Sequence, residues 1–319
     1  MKLTSSKISK LSRLLALACA GSCLMLTGCF TGVESTKKIN LSRDDRKLIA
    51  LSDEDTLMNA VRPQPLGEWL PGKRFLISDG RISLLFDRYG TTISPTDTAS
   101  LAGDTLVYEG RDVRRLPDGG SETILMMRHG GQIFRYPSGK TPEAALSAVS
   151  SGELPMLIDL DMVSKADSLL RGRQLWIRTD LWYDMGGNRI SGRKFVPVKV
   201  LGVVPGSMVF PLRLTLEDDR GKRFMQLMNM GSGANESRSF ARLFRLTDPH
   251  LSYPAISDEK WTLIQSGRVR EGMTKEECRL ALGNPSFTDS GRDYSSTLDI
   301  WRYDDGTFLR FRDGLLVNE

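Results

Sequence analysis

Gly72-Lys73-Arg74-Phe75-Leu76-Ile77 has an echo further along the chain, Gly172-Arg173-Gln174-Leu175-Trp176-Ile177. In each, a glycine precedes apolar residues that alternate, Phe75 and Ile77 in one, Leu175 and Ile177 in the other. Period-two alternation predicts a strand with one buried face. At the same distance downstream, each copy has a turn followed by an apolar strand. These are Asp118-Gly119-Gly120 before Ile124-Leu125-Met126-Met127, and Asp219-Arg220-Gly221 before Phe224-Met225-Gln226-Leu227-Met228. Between the markers, Phe86-Asp87 parallels Tyr183-Asp184. The pattern reads as a tandem repeat, with two unrelated small β domains as the alternative. Several short strands within about 60 residues suit a small closed barrel, which leaves no exposed edge.

Working outward, Ile82, Leu84 and Phe86 continue the strand signals, followed by Leu106, Tyr108 and Val113, then Ile133, Phe134 and Tyr136. A polar loop covers Tyr89 to Ser100. Thr141-Pro142-Glu143 predicts a helix start, with a capping hydroxyl, proline at the first helical position and an acid in the first turn. Met162 to Leu170 predicts a second short helix. Gly231 to Asn235 is a loop without the Lys-Ser/Thr pair of a phosphate cradle. Phe240 to Leu246 fits a strand or a helix. The two β-rich regions resemble a pair of SH3-like barrels.

The C-terminal stretch is the sharpest. Asp258 caps a helix through Trp261 and Ile264. Thr274, with Glu277 three residues on, forms a capping box, and Gly283 and Pro285 stop the helix that it opens. Three strands follow, Asp299 to Tyr303, Phe308 to Arg312 and Leu315 to Val317, joined by Asp304-Asp305-Gly306 and Asp313-Gly314. Two helices on a three-stranded meander make an α+β sandwich. This unit resembles the SmpA/OmlA family, the BamE-like domain. The resemblance rests on Gly267-Arg268-Val269, Gly272-Met273-Thr274, Leu282-Gly283-Asn284-Pro285, the Trp301-Arg302-Tyr303 strand and the Asp313-Gly314 turn. It implies a non-catalytic interaction domain, and one member of that family is a lipoprotein accessory to outer-membrane protein assembly. In that member the domain lies close to its anchor, whereas here residues 30–254 intervene.

The N-terminus carries Lys2, Lys7, Lys10 and Arg13, then an apolar run from Leu14 to Leu26, too short for a stable bilayer span. Leu26-Thr27-Gly28-Cys29 resembles the lipobox of a bacterial lipoprotein signal. The resemblance implies acylation of Cys29 and cleavage before it, hence anchoring in a lipid bilayer. Phe30 in place of Asp implies the outer membrane. The expected organisation is a signal peptide 1–28, a tether 29–45, a first β-rich unit 46–150, a second 151–254 and the α+β unit 255–319. The expected fold class is mainly β with an α+β C-terminal domain.

Residues 1–28 hold four of the chain's cations and no acid, so the net charge of +5 falls to +1 without them. That removes the compositional case for a nucleic-acid partner. With Cys19 and Cys23 lost and Cys29 acylated, as the lipobox resemblance implies, Cys278 is expected to have no partner for a disulfide. It reads as a buried small hydrophobe. The two histidines, His129 and His250, match no metal or nucleophile motif. Asp159 and Asp161 share a face if their segment is a strand, but read better as solvated acids. No catalytic residue, metal or cofactor is expected. The expected function is a protein-binding or scaffold module in the cell envelope, with glycan or peptidoglycan binding as the alternative and an assembly-factor role behind both. Aromatic residues concentrate interface energy. Trp176, Trp182, Tyr183, Trp301 and Tyr303 are therefore the candidate binding residues, beside core roles for the same side chains.

Overall fold

Phe75 and Ile77 turn to the buried side of a short strand while Arg74 turns out, and this strand, β1 (Arg74–Ile77), is paired on both sides within the first sheet. The computed structural model describes residues 52–86, 101–148, 154–230, 237–293 and 296–317, all within one compact unit, Leu51–Glu319. The described residues are mainly β, with three sheets and a few short helices, a β-rich α+β fold. The segments expected as signal and tether, with Cys29, and the expected loops 89–100 and 231–235 lie outside the described residues.

Helix α1 (Asp53–Met58) opens the described chain, capped by Ser52. In the first sheet, β2 (Thr105–Arg115), β3 (Ser121–His129) and β4 (Gln132–Pro137) form a meander. Helix α2 (Pro142–Ser147) follows, with the Thr141 hydroxyl accepting the Ala144 N–H. Then β5 (Leu157–Asp159) pairs with the other side of β1, giving the order β4-β3-β2-β1-β5.

Helix α3 (Leu160–Leu170) leads into the second sheet, where β6 (Gln174–Ile177) takes the place of β1. A hairpin of β7 (Leu181–Tyr183) and β8 (Arg189–Ser191) comes next. The meander is β9 (Pro197–Pro205), β10 (Leu212–Asp218) and β11 (Arg223–Met228). Phe240 to Leu246, which fits either state by sequence, supplies both: a single turn, α4 (Phe240–Leu243), then β12 (Phe244–Arg245) on the far side of β6. The order is β12-β6-β9-β10-β11-β7-β8, the first sheet's order with a hairpin added at one edge.

Backbone bonds repeat as well. The Gly72 N–H donates to the Tyr108 carbonyl at 2.7 Å, and the Tyr108 N–H donates back to Lys73 at 2.7 Å. Gly172 donates to Val200 at 2.8 Å, and Val200 back to Arg173 at 3.0 Å. Both glycines sit at positive φ, +96° and +79°, where a side chain costs about 1–2 kcal/mol. The second marker of the echo does not correspond in space. Asp118-Gly119-Gly120 joins β2 to β3, whereas Asp219-Arg220-Gly221 joins β10 to β11, one hairpin later. The connection after the first strand is shorter in the second unit, 178–196 against 78–104, so equal spacing overshoots by one turn.

Three further expectations are corrected. Ile82, Leu84 and Phe86 do not form a strand but a 3-10 turn, Gly80–Leu84, and the chain just after it. The Asp79 carboxylate accepts the Arg81 N–H at 2.9 Å, and only Ile82 and Phe86 turn inward, four residues apart. Met58 and Val61 pack into the core of the second sheet with Met162, Val163, Ala166 and Leu170, although they precede the first sheet in the chain. Conversely β5, beyond residue 150, completes the first sheet.

After the turn α5 (Pro249–Ser252), helices α6 (Asp258–Gln265) and α7 (Lys275–Leu282) cover one face of a meander of β13 (Phe287–Asp293), β14 (Ser296–Arg302), β15 (Phe308–Arg312) and β16 (Leu315–Val317). The Thr274–Glu277 capping box is present, while α6 is capped one residue early, by Ser257. The sheet has four strands where three were expected. Phe287-Thr-Asp-Ser-Gly-Arg-Asp293 lacks alternating apolar residues, and the strand is held by its backbone register with β14. Asp313 and Gly314 both have positive φ, 52° and 83°, as a type I′ hairpin turn requires.

Cys278 lies in this third core, fully buried, its thiol pushed up to about 12 by burial. The third unit docks on the second through Lys194, whose N–H donates to the Gln265 carbonyl at 2.9 Å and whose ammonium donates to Ala281 at 2.6 Å.

Candidate functional site

Strand β14 alternates Leu298, Ile300 and Arg302 on one face with Asp299 and Trp301 on the other. Trp301 faces the helices, 4.6 Å from Phe311 between ring centres, with the Arg279 guanidinium 4.7 Å over its indole. Tyr303 is buried too. Its hydroxyl donates to the Gly283 carbonyl at 3.2 Å, and burial pushes it up to about 12. Both residues build the core, so neither is available to a partner. On the same inner face, Asp299 accepts from Lys275 and Ser290, each at 2.5 Å.

The Lys275 hydrogen bond, and then that of Ser290, hold the Asp299 carboxyl below the usual carboxylate range. Its folded value lies below its unfolded one, so the contribution to stability is complete above about pH 4. It is lost as pH falls through the depressed folded value. Asp299→Asn is therefore expected to flatten the acid limb of a stability-against-pH curve, measured by urea unfolding between pH 7 and 2. An unchanged acid limb would contradict this account.

Among the described residues, both helices of this unit pack on the inner face, and none covers the outer one. Register places Phe287 opposite Arg302, and Arg302 opposite Phe308, in one row across three strands. The Arg302 guanidinium lies 5.1 Å over the Phe287 ring. Phe287 is 49% exposed, Phe308 55% and Leu315 46%. Ile300, Leu298 and Val317 continue the apolar strip, and Arg310 and Arg312 alternate with it along β15. Aromatic side chains beside arginine, on a face without core function, have the composition of a protein contact. Phe287→Ser and Phe308→Ser are each expected to cost no more than about 1 kcal/mol in urea unfolding, the scale of a cross-strand pair.

The remaining sequence candidates do not form one aromatic groove. Trp182 is 1% exposed and stacked on Phe224 at 3.8 Å and 8°, with its indole N–H donating to Thr179 at 2.9 Å. Tyr183, next to it in β7, is half-buried under Arg238, whose guanidinium lies 5.0 Å over the ring and donates to the hydroxyl at 3.1 Å. Trp176 is half-buried on the outer side of β6, opposite Arg245 of β12.

Asp159 is not a solvated acid. It caps α3, accepting from the Asp161 and Met162 N–H groups, and is buried against Lys73. Among the described residues, no three His, Cys, Asp or Glu side chains gather as for a metal, and no helix is long and apolar enough to cross a membrane.

Sequence reasoning missed Phe287, Arg302 and Phe308. The alternation of β14 and β15 carried the signal for Arg302 and Phe308, once Trp301 and Phe311 are placed inside. Nothing in the polar run after Phe287 marks it as a strand.

No family model, curated protein or solved structure matches this chain.

Proposed function

We propose that this chain is a lipid-anchored cell-envelope protein at the outer membrane whose folded part is a non-catalytic binding module. It docks an envelope protein on the outer face of the C-terminal sheet. The observation that carries this reading is the exposed row Phe287–Arg302–Phe308 on a face opposite the helices. The partner presents an apolar strip flanked by carboxylates. The anchor rests on the lipobox around Cys29. Two SH3-like units and a BamE-like domain are the finer reading of the architecture. The shared strand order of the first two sheets favours the first part, and the two helices over an antiparallel meander favour the second. The glycan alternative retains Trp176 as its half-open aromatic, since Trp182 is in the core and Tyr183 lies under Arg238.

The test is in-cell crosslinking and affinity purification with a C-terminal tag, comparing the natural chain, Cys29→Ala, and Arg302→Glu with Phe308→Glu. One envelope protein is expected with the natural chain and is expected to be lost with the face variant, at an unchanged unfolding midpoint. Barrel-assembly subunits among the captured proteins would support the assembly-factor role. Equal capture by the face variant would remove the outer face from the function. Recovery of glycan fragments alone would favour the alternative.

A further inference from the structure

The end of β6, the turn α4 and the strand β12 gather three guanidinium groups far along the chain from the C-terminal sheet. Arg178 follows Ile177 directly. Its N–H donates to the Leu243 carbonyl at 2.8 Å and its Nη1 to the Ala241 carbonyl at 2.6 Å, which fixes the side chain against α4. Arg242 stands in the last turn of α4 and is exposed. Arg245 lies opposite Trp176 across the β6–β12 ladder, so the two side chains share one face of the sheet. Arg178 lies two residues beyond Trp176, just past the end of β6 and beside the α4–β12 segment that carries Arg242 and Arg245.

Positive charge predominates at this corner. Burial, and then the charges of Arg245 and Arg242, push the Arg178 guanidinium below its ordinary value, with Glu54 acting in the opposite direction. The Glu54 carboxylate already accepts the Leu246 N–H at 3.1 Å. Tyr253 is the other group that faces Arg178. Among the described residues, none of the three arginines has a carboxylate at ion-pair distance. Holding like charges together is unfavourable, and a bound anion with several acceptor oxygens relieves it. Guanidinium forks match the tetrahedral oxygens of phosphate by paired, charge-assisted hydrogen bonds.

We propose that Arg178, Arg242 and Arg245, with Trp176 at their edge, form a binding site for a phosphoryl group, carried on a lipid headgroup or on a soluble molecule. Arg178 is the fixed member, braced by two backbone bonds. Arg242, exposed on α4, and Arg245, half-buried on β12, supply the other two guanidinium groups.

Trp176 supplies the readout. Trp69, Trp182, Trp261 and Trp301 are each 5% exposed or less, so acrylamide quenching of tryptophan fluorescence reports on Trp176. The full chain is used with Cys29→Ala, so that acylation cannot attach it to vesicles. Inorganic pyrophosphate is titrated at constant ionic strength, with succinate as the carboxylate control. Flotation with phosphatidylcholine vesicles, with and without phosphatidic acid, forms the second arm.

Saturable protection of Trp176 by pyrophosphate, weakened at least tenfold in Arg242→Ala with Arg245→Ala, is the expected result. The unliganded unfolding midpoint should be equal or higher in that variant, because repulsion is relieved. Pyrophosphate protection without flotation assigns a soluble source, and flotation that needs phosphatidic acid and both arginines assigns a headgroup. Protection by succinate as strong as by pyrophosphate would overturn the proposal. So would binding that survives loss of both arginines, or the absence of both protection and flotation.

Discussion

Replacing Asp159 with alanine is expected to lower the unfolding free energy by about 3–5 kcal/mol, the range for removing one partner of a buried ion pair. Lys73 Nζ lies 2.8 Å from Asp159 Oδ2, with the side chains 5% and 1% exposed. This is an ionic contact without an aligned hydrogen bond to that oxygen. The other oxygen caps α3 through the Asp161 and Met162 N–H groups, at 3.0 and 3.1 Å. Alanine therefore removes a helix cap and leaves an ammonium buried between the Trp69 and Phe75 rings, 5.9 and 5.7 Å away. Asp161, at 3.6 Å and more exposed, compensates only in part.

The position matters because β5 closes the first sheet and α3, starting at the next residue, packs into the second core. Urea unfolding of Asp159→Ala, Lys73→Met and the double variant makes the check. The double variant should be more stable than the sum of the single losses implies, since it leaves no unpaired charge. Additive losses would show that the pair is not coupled.

Gly192→Ala is expected to destabilise the second unit by about 3 kcal/mol, the upper end of overpacking effects. A Cβ at Gly192 would fall inside the Trp182 indole. The ring cannot retreat. It is stacked on the fully buried Phe224, and its N–H is fixed to the Thr179 carbonyl at 2.9 Å. Nor is the backbone free to move away, since the Gly192 N–H donates to Asp180 at 2.6 Å. The β7–β8 hairpin would have to lift from the core. Guanidinium unfolding and near-ultraviolet circular dichroism measure the loss. Trp182→Leu in the Gly192→Ala background should recover part of it by opening space. A stable Gly192→Ala with an unchanged aromatic signal would mean that the hairpin is looser than its packing.

Local chemistry was legible wherever it is written in a few residues. The capping box at Thr274 and Glu277, the Asp313-Gly314 turn and the start of α2 at Pro142 stand where the sequence places them. Strands with strict alternation, β1, β6 and β15, were legible for the same reason, because burial of one face imposes period two. The site was less legible. Aromatic identity pointed to Trp182, Trp301 and Tyr303, which are buried, since a large apolar ring in a small unit is the first residue to fill a core.

By itself, then, the sequence of this protein determined its β-rich composition, its helix caps and turns, and the first half of its internal echo. Those depend on contacts within a few residues. Only the tertiary structure decided that β5 crosses into the first sheet, that Met58 and Val61 serve the second core, and that β13 is a strand. It also decided which aromatics stay outside. Phe287 and Phe308 flank Arg302 because three separate strands come into register, and Arg178, Arg242 and Arg245 meet because β12 returns to β6. Such pairings join residues far apart in the chain, and their stability comes from burial and backbone bonding between strands, which no short stretch of sequence encodes.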